Sequence, residues 1–547
     1  MKIALAQLNY HIANFEDNSA KIIAAIQKAK KGGAELVVFS ELAVTGYYPH
    51  DLLERKEFIE KAEKTIKKIA RYCSGIAALV GGPSINSGEK GKKLYNSAWF
   101  LNNGKVETIR HKSLLPTYDV FDEYRHFEPN NEFRLIHYGG EKLAITICED
   151  LWDEQPTNNE FAKDKLYQSS PMEKLSKLSP DLVINLSASP FSYNQESWRK
   201  DILIHNARKY KLPIVYVNQI GAHTELVFDG GSCFVENDGS IPAELAYFEE
   251  DFLIIDTKAP LKKKQPGMDY IAKIHKALIL GIRDYFYKMH FNDVVLGLSG
   301  GIDSALVCAL AVEALGPEHV RGILMPSRFS SDHSVADAVQ LAENLKIHYD
   351  IIGIQNMVDE FENQLSPLFE GLPPGIAEEN IQARTRGVIV MAVSNKFGSI
   401  LLNTTNKSEC AVGYGTLYGD MNGGLAILAD VYKTDVYKLA VYINREQKLI
   451  PENSILKPPS AELRPDQKDT DSLPDYDTLD AILFKYIELN LSPEEITEQG
   501  FEKETVLKIT RLVNQNEYKR FQTPPILRVS SKAFGFGRKM PLVARYS

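Results

Sequence analysis

The chain has 547 residues, 44% hydrophobic and 25% charged, with a net charge of −9. That length predicts two or more domains, the composition is that of a soluble globular protein, and the negative balance argues against a nucleic-acid binder while leaving room for a local basic pocket. No apolar run approaches the ~18 residues of a membrane span, the start shows no signal-peptide core, and five scattered cysteines without a Cys-x-x-Cys pair argue against a disulfide framework or zinc ribbon, so the cytoplasm is the expected location.

In chain order, the first half alternates strands and helices. Apolar runs predict strands over residues 3–8, 36–39, 77–81, 98–101, 143–147, 182–186 and 214–218. Helical patterns fall at 19–31 and 57–72, and hairpin-like pieces at 98–106 and 232–241 add antiparallel strands. Mixed α/β layers follow. Residues 257–269, with Pro260, Pro266 and three consecutive lysines, read as a linker between domains 1–256 and 270–547. The second half begins with a helix near Tyr270. Strands at 294–298, 321–325, 349–354 and 399–403 alternate with helices, the doubly wound parallel pattern. The acidic, Pro-containing stretch 457–477 reads as a long polar loop, mobile or ordered by ligand.

Three strand ends of the first half carry reactive side chains: Glu41, Lys112 and Cys148. A carboxylate, an ammonium and a thiol together make an acyl-transfer site. Glu41 takes and returns the thiol proton, Cys148 attacks a carbonyl carbon, and Lys112 stabilises the oxyanion with a backbone N–H near Cys148.

The second half contains Gly297-Leu298-Ser299-Gly300-Gly301-Ile302-Asp303-Ser304 between a strand and a helix. Its glycines let backbone N–H groups approach an anion, its serines add hydroxyls, and the helix start adds partial positive charge. Asp303 would repel a phosphate unless a cation such as Mg²⁺ lies between them. The loop therefore predicts Mg-nucleotide chemistry. It is not the Walker pattern, since no lysine follows the glycines.

These motifs carry family resemblances. The SGGIDS loop resembles that of the N-type ATP pyrophosphatases, which adenylate a carboxylate or carbonyl oxygen and release pyrophosphate. Glu41, Lys112 and Cys148 resemble the nitrilase-superfamily triad. The segments FSELAVTGYYPHDLL, HKSLLPTYDVFDEYRHF, ITICEDLW, INLSASPF and VNQIGAHTELVFDGGS are similar to the amidase domain of the glutamine-dependent NAD synthetases. ENIQARTRG, NTTNKSE, YGTLYGDMNGGLA, DVYKTDVYKLA and SSKAFGFGRK extend the likeness to the synthetase half.

The resemblance implies an α/β protein in which a nitrilase-like α-β-β-α sandwich precedes a doubly wound ATP pyrophosphatase domain. It implies Glu123 as a second catalytic glutamate, and Tyr118 and Ser189 as glutamine contacts. Where the family often carries a basic residue this chain has Gln195, with Arg199 an alternative for the glutamine carboxylate. It assigns Thr404 to ATP, Asn380, Glu409 and Lys532 to deamido-NAD⁺, and Asp303 with Glu409 to Mg²⁺. Arg384 and Arg386 would serve phosphates or a subunit interface. The implied reaction amidates deamido-NAD⁺ with ammonia from glutamine, passed through an internal channel, in a homodimer or larger homo-oligomer. Other enzymes with this loop amidate a purine nucleotide or an amino acid, or thiolate tRNA; the ENIQAR and SSKAFG segments argue against them. A catalytically silent scaffold is disfavoured by the complete Glu41, Lys112 and Cys148 set.

Overall fold

Apolar strands build two sheets in the amino-terminal part of the computed structural model, which describes residues 1–154, 166–259, 262–465 and 467–546. In the first sheet Lys2–Gln7, Leu36–Val38 and Ala77–Ile85 run parallel. The hairpin Leu94–Asn102 and Lys105–His111 extends one edge, and Asp251–Asp256 closes the other, antiparallel to Lys2–Gln7. The second sheet centres on parallel Glu141–Ile147, Leu182–Ser187 and Ile214–Asn218, flanked by Ile136–Tyr138, Cys233–Val235 and Ala243–Glu244.

The alternation of side chains across each strand decides the layering. Ile3, Leu5, Val38 and Leu79 of the first sheet share a core with Ile145, Ile184, Val215 and Val217 of the second. On the first sheet's other face, Val37, Ala78 and Val80 pack with Ile22 and Ile26 of helix Phe15–Lys31 and Ile66 and Ile69 of helix Lys56–Ala70. Beyond the second sheet, Val183 and Tyr216 pack with Leu203 and Ala207 of helix Gln195–Tyr210. The result is an α-β-β-α sandwich, as the resemblance implies. Helix Phe15–Lys31 begins earlier than its apolar pattern because the Asn14 side chain accepts from the N–H of Asp17. The strand expected at 98–101 starts at Leu94, taking in Tyr95, Asn96 and Ser97, whose polarity gave no strand signal.

By backbone contacts the chain divides into units Met1–Met268 and Asp269–Ser547. Pro260 and Leu261 of the expected linker, and Asp466 of the expected polar loop, lie outside the described residues. The second unit opens on helix Tyr270–Met289 and contains a parallel sheet ordered His348–Ile351, Val320–Leu324, Val294–Gly297, Ile400–Asn403, Leu425–Ala426. The winding reverses between Val294–Gly297 and Ile400–Asn403, and such sheets bind ligands beyond the strand ends at that point. The loop 297–304 and the stretch 403–409 both leave from there. The stretch expected as a long polar loop, mobile or ordered by ligand, is tied down: Gln382 donates to the Leu463 carbonyl at 2.9 Å, and Ser334 donates to Glu462 at 2.7 Å. It also forms a short helical turn at Asp469–Asp471.

Candidate active sites

In the first unit, three strand ends bring the sequence-derived residues to one buried place. Lys112 follows strand Lys105–His111, and its ammonium lies 2.7 Å from Glu41 Oε1 and 2.8 Å from Glu123 Oε1. None of the three side chains is more than 1% exposed. Two carboxylates share one ammonium, so the cluster carries net negative charge when all three are ionised.

Residues without an assigned role hold this geometry. Asn96 Nδ2 donates to Glu41 Oε1 at 2.7 Å and to Glu123 Oε2 at 3.3 Å. The Tyr47 hydroxyl donates to Glu123 Oε1 at 2.8 Å, and the Ala188 N–H to Glu41 Oε2 at 3.1 Å.

Cys148 ends strand Glu141–Ile147 and begins a single helical turn, Cys148–Leu151. Its φ of 42° lies in the left-handed region, which is uncommon for a residue with a Cβ. Such sharp strand-to-helix turns are one way to present a nucleophile. Asp150 fastens this turn: its carboxylate accepts from the N–H groups of Ser113 and Leu114 at 2.9 Å each and of Ile147 at 3.0 Å. One side chain thus ties the backbone just after Lys112 to the backbone just before Cys148.

Electrostatics set the resting protonation. Burial, with the Glu41 carboxylate added, holds the Cys148 thiol well above its usual value, against the opposing Lys112. Burial also pushes Glu41 up to about 7; Lys112 opposes the shift and Glu123 adds to it. For Lys112 burial favours the neutral amine, but the charges of Glu123 and Glu41 outweigh it and the ammonium stays well above its ordinary value. The resting set therefore pairs a thiol with an ammonium, and Glu41 exchanges its proton near neutrality.

Among the expected glutamine contacts, the Tyr118 hydroxyl donates at 2.9 Å to Glu149, the residue after Cys148, and Tyr167 donates to the same oxygen at 2.8 Å. Burial raises Glu149 to about 7, with Lys112 and both phenols opposing. Ser189 is buried, its N–H held by Asn218 at 2.9 Å. Gln195 opens helix Gln195–Tyr210, half-buried. Arg199, the alternative to it, is buried, and its guanidinium forks onto Asp229 at 2.9 and 2.8 Å, so two of its five N–H groups already have a carboxylate.

In the second unit a cavity of about 970 Å³ is lined by Gly297, Leu298, Ser299, Gly301, Ile302, Asp303 and Ser304, together with Thr404 and Glu409. The Ser299 and Ser304 hydroxyls lie 3.1 Å apart, and Gly301 N–H donates to Ser299 Oγ at 3.1 Å, folding the loop on itself. Gly300 shows why glycine is needed: its φ is 76°, and a Cβ there would fall 2.1 Å from the Ser334 carbonyl oxygen. Its own carbonyl accepts from Ser454 at 3.0 Å.

Asp303 and Glu409 converge on one cation, the Lys433 ammonium, which pairs with Asp303 Oδ2 and lies 3.5 Å from Glu409 Oε1. Asn406 Nδ2 donates to Asp303 Oδ1 at 3.0 Å. Burial raises Glu409 to about 8, the Asp303 carboxylate adding and Lys433 opposing. Arg386 also lines the cavity; Arg384 donates to the Leu417 carbonyl at 3.2 Å. Asn380 and Lys532 are not among the lining residues. Asn380 accepts from Thr416 at 2.9 Å, and the Lys532 carbonyl accepts from Lys407 at 3.0 Å. Lys433 was not singled out from the sequence, although it sits in DVYKTDVYKLA.

Comparison with known proteins matches both units. The carbon-nitrogen hydrolase family model covers residues 2–261 and the NAD synthase model residues 274–523. The glutamine-dependent NAD(+) synthetase of Synechocystis sp. is 46% identical over 100% of this chain and 99% of its own length, and that of Thermotoga maritima 40% over 100% and 99%. The solved structure of glutamine-dependent NAD+ synthetase from Acinetobacter baumannii, a complex with ADP, is 39% identical, covers 99% of this chain and 98% of that one, and superposes with a TM-score of 0.78. An amide-hydrolysing sandwich joined to a nucleotide-binding parallel sheet defines a carbon–nitrogen ligase that draws on an amide donor. The chain belongs to the glutamine-dependent NAD(+) synthetases. Among its described residues no helix is long and apolar enough to cross a membrane.

Proposed function

We propose that the first unit hydrolyses glutamine through Cys148 and that the second uses ATP to convert deamido-NAD⁺ and the released ammonia into NAD⁺, AMP and pyrophosphate. The observation that carries this reading is the buried Glu41–Lys112–Glu123 cluster, with contacts of 2.7 and 2.8 Å, beside a cysteine held at positive φ.

In the first reaction Glu41 accepts the thiol proton as Cys148 attacks the glutamine amide carbon. Lys112 stabilises the oxyanion, with a backbone N–H of the cysteine turn. Glu41 returns the proton to the departing nitrogen, leaving a thioester and ammonia. Water then attacks the thioester; Glu41, supported by Glu123, takes its proton, and the thiol is restored as glutamate leaves. Tyr118, Ser189 and Gln195 orient the substrate. Glu149, a buried carboxylate next to the nucleophile, supplies a counter-charge for the α-ammonium.

In the second reaction the loop 297–304 and Thr404 hold ATP, while Asn380, Glu409 and Lys532 hold deamido-NAD⁺. A nicotinate carboxylate is a poor electrophile because oxide leaves badly. Attack of its oxygen on the α-phosphorus expels pyrophosphate and makes an adenylate. Ammonia adds to the activated carbonyl and AMP departs. The loop N–H groups and the Ser299 and Ser304 hydroxyls are suited to the charge on the departing pyrophosphate. Asp303 and Glu409 already meet at one positive group, Lys433, and their oxygen-only set fits a hard divalent ion such as Mg²⁺. Mg²⁺ held there with ATP would neutralise phosphate charge.

Joining the two reactions in one chain has a physical rationale, since ammonia released in water at neutral pH is mostly protonated and not nucleophilic. Delivery from one unit to the other raises its effective concentration. We take the working form to be a homodimer or larger homo-oligomer in the cytoplasm.

The test is NAD⁺ formation from ATP and deamido-NAD⁺ with glutamine or ammonia, in the intact protein and in Cys148→Ala. Loss of the glutamine reaction with retention of the ammonia reaction is the expected result. An intact protein that makes NAD⁺ from neither source would sink the reading, and xanthosine monophosphate and aspartate would then be tried as acceptors.

A further inference from the structure

A second charged cluster lies on the outer side of the turn that carries Glu123. Residues His50–Glu54 form one helical turn, which places Asp51 and Glu54 three residues apart on one side. A second short turn, Glu123–Arg125, delivers His126 to the same spot. The His126 ring is only 4% exposed, and its Nε2 is buried with no hydrogen-bond partner among the described residues. That nitrogen faces Asp51 Oδ1 at 3.4 Å and Glu54 Oε1 at 3.7 Å. One donor atom from each of the three residues lies within 4.8 Å of the others.

We propose that Asp51, Glu54 and His126 form a site for a divalent cation of the Zn²⁺ class, separate from both reaction centres. Ligands about 2.1 Å from a tetrahedral ion stand about 3.4 Å apart, the separation seen here between imidazole and carboxylate. The mixed nitrogen and oxygen set suits Zn²⁺, Ni²⁺ or Co²⁺ better than Mg²⁺ or Ca²⁺, which favour oxygen alone. The ring is already oriented for this. His126 Nδ1 lies 2.8 Å from the Tyr48 hydroxyl, which also lies 3.4 Å from the Asp122 carbonyl. With Nδ1–H donating to Tyr48, and Tyr48 donating to Asp122, Nε2 keeps a lone pair aimed at the carboxylates; a hydrogen bond of this kind on the far ring nitrogen commonly fixes a metal-binding histidine.

Arg125 is the competitor. Its Nη2 lies 3.0 Å from Asp51 Oδ1 and 3.7 Å from Glu54 Oε1, yet its side chain is 52% exposed and free to swing into solvent. The site is therefore one in which a protein cation and a metal cation compete for two carboxylates. It also borders the first reaction centre by two adjacent tyrosines, Tyr47 on Glu123 and Tyr48 on His126. A bound cation would brace the turn that positions Glu123. The inference does not depend on the reactions assigned above.

The test is Co²⁺ titration of the metal-stripped full-length protein without ATP, read by the visible ligand-field band and by stoichiometry. The wild type is expected to bind one Co²⁺ per chain with a tetrahedral-type band. His126→Asn, and separately the exposed pair Asp51→Asn with Glu54→Gln, should abolish that band. Arg125→Met should tighten binding on the order of tenfold by removing the rival charge. Circular dichroism checks folding of the His126 variant, and the exposed carboxylate variant decides should that one misfold. No band in the wild type at millimolar Co²⁺, or an unchanged band in the carboxylate variant or in a folded His126→Asn, overturns the proposal.

Discussion

The Asn96 carboxamide donates to Glu41 and Glu123 at once, while its backbone carbonyl accepts the N–H of Lys112 at 2.8 Å. It touches both carboxylates and the backbone of the lysine without adding a charge. Asn96→Ala should lower kcat for glutamine hydrolysis about ten- to a hundredfold, a fraction of what general acid–base catalysis contributes, with KM nearly unchanged. Glutamate release in steady state measures this; a change in KM alone would contradict the positioning role. Glu41 gives a pH signature. Only its ionised form can accept the thiol proton, and burial places it at about 7, so kcat/KM for glutamine should fall as pH drops through that region. The residual rate of Glu41→Gln should lack that limb. The buried Arg199–Asp229 fork is a stability element: Asp229→Ala leaves a guanidinium buried alone and should cost about 3–5 kcal/mol in chemical unfolding. Asn96 was not legible in the sequence because an isolated polar residue in a strand carries no pattern. Glu41, Lys112 and Cys148 were, because each lies at or just past a readable strand and inside a segment with family resemblance.

Short turns do the placing at the level of elements. Asp150 joins two strand ends, and Gly300 lets the nucleotide loop pass over the Ser334 carbonyl. Gly300→Ala combines positive φ with a Cβ only 2.1 Å from that oxygen, so the loop must move. We expect loss of NAD⁺ synthesis from ammonia as well as from glutamine, and destabilisation of about 2 kcal/mol or more. Synthesis at the wild-type rate would show that the loop has another way past Ser334. Strand and helix positions were largely readable from periodicity, with ends shifted by a few residues where a cap such as Asn14 or a polar start such as Tyr95-Asn96-Ser97 intervened. The tether on the 457–477 stretch was not readable, because its bonds to Ser334 and Gln382 join residues 80 or more positions apart.

For the molecule as a whole, length predicted two or more domains and nothing about their layering. Which sheet faces which depends on contacts such as Leu5 with Val217, far apart in sequence, and only family resemblance anticipated the sandwich. The same burial that builds these cores reaches every cysteine. All five cysteines are free and buried. Burial pushes the thiols of Cys73, Cys233, Cys308 and Cys410 up to about 12 and holds Cys148 well above its usual value. Alkylating agents attack the thiolate, and burial favours the thiol at all five positions. The folded protein should therefore take up no iodoacetamide on its cysteines in a brief treatment and be labelled only in denaturant, as mass spectrometry of the cysteine peptides would report. On the role proposed for Cys148, the burial that keeps its proton in place at rest would also shield the nucleophile from stray electrophiles.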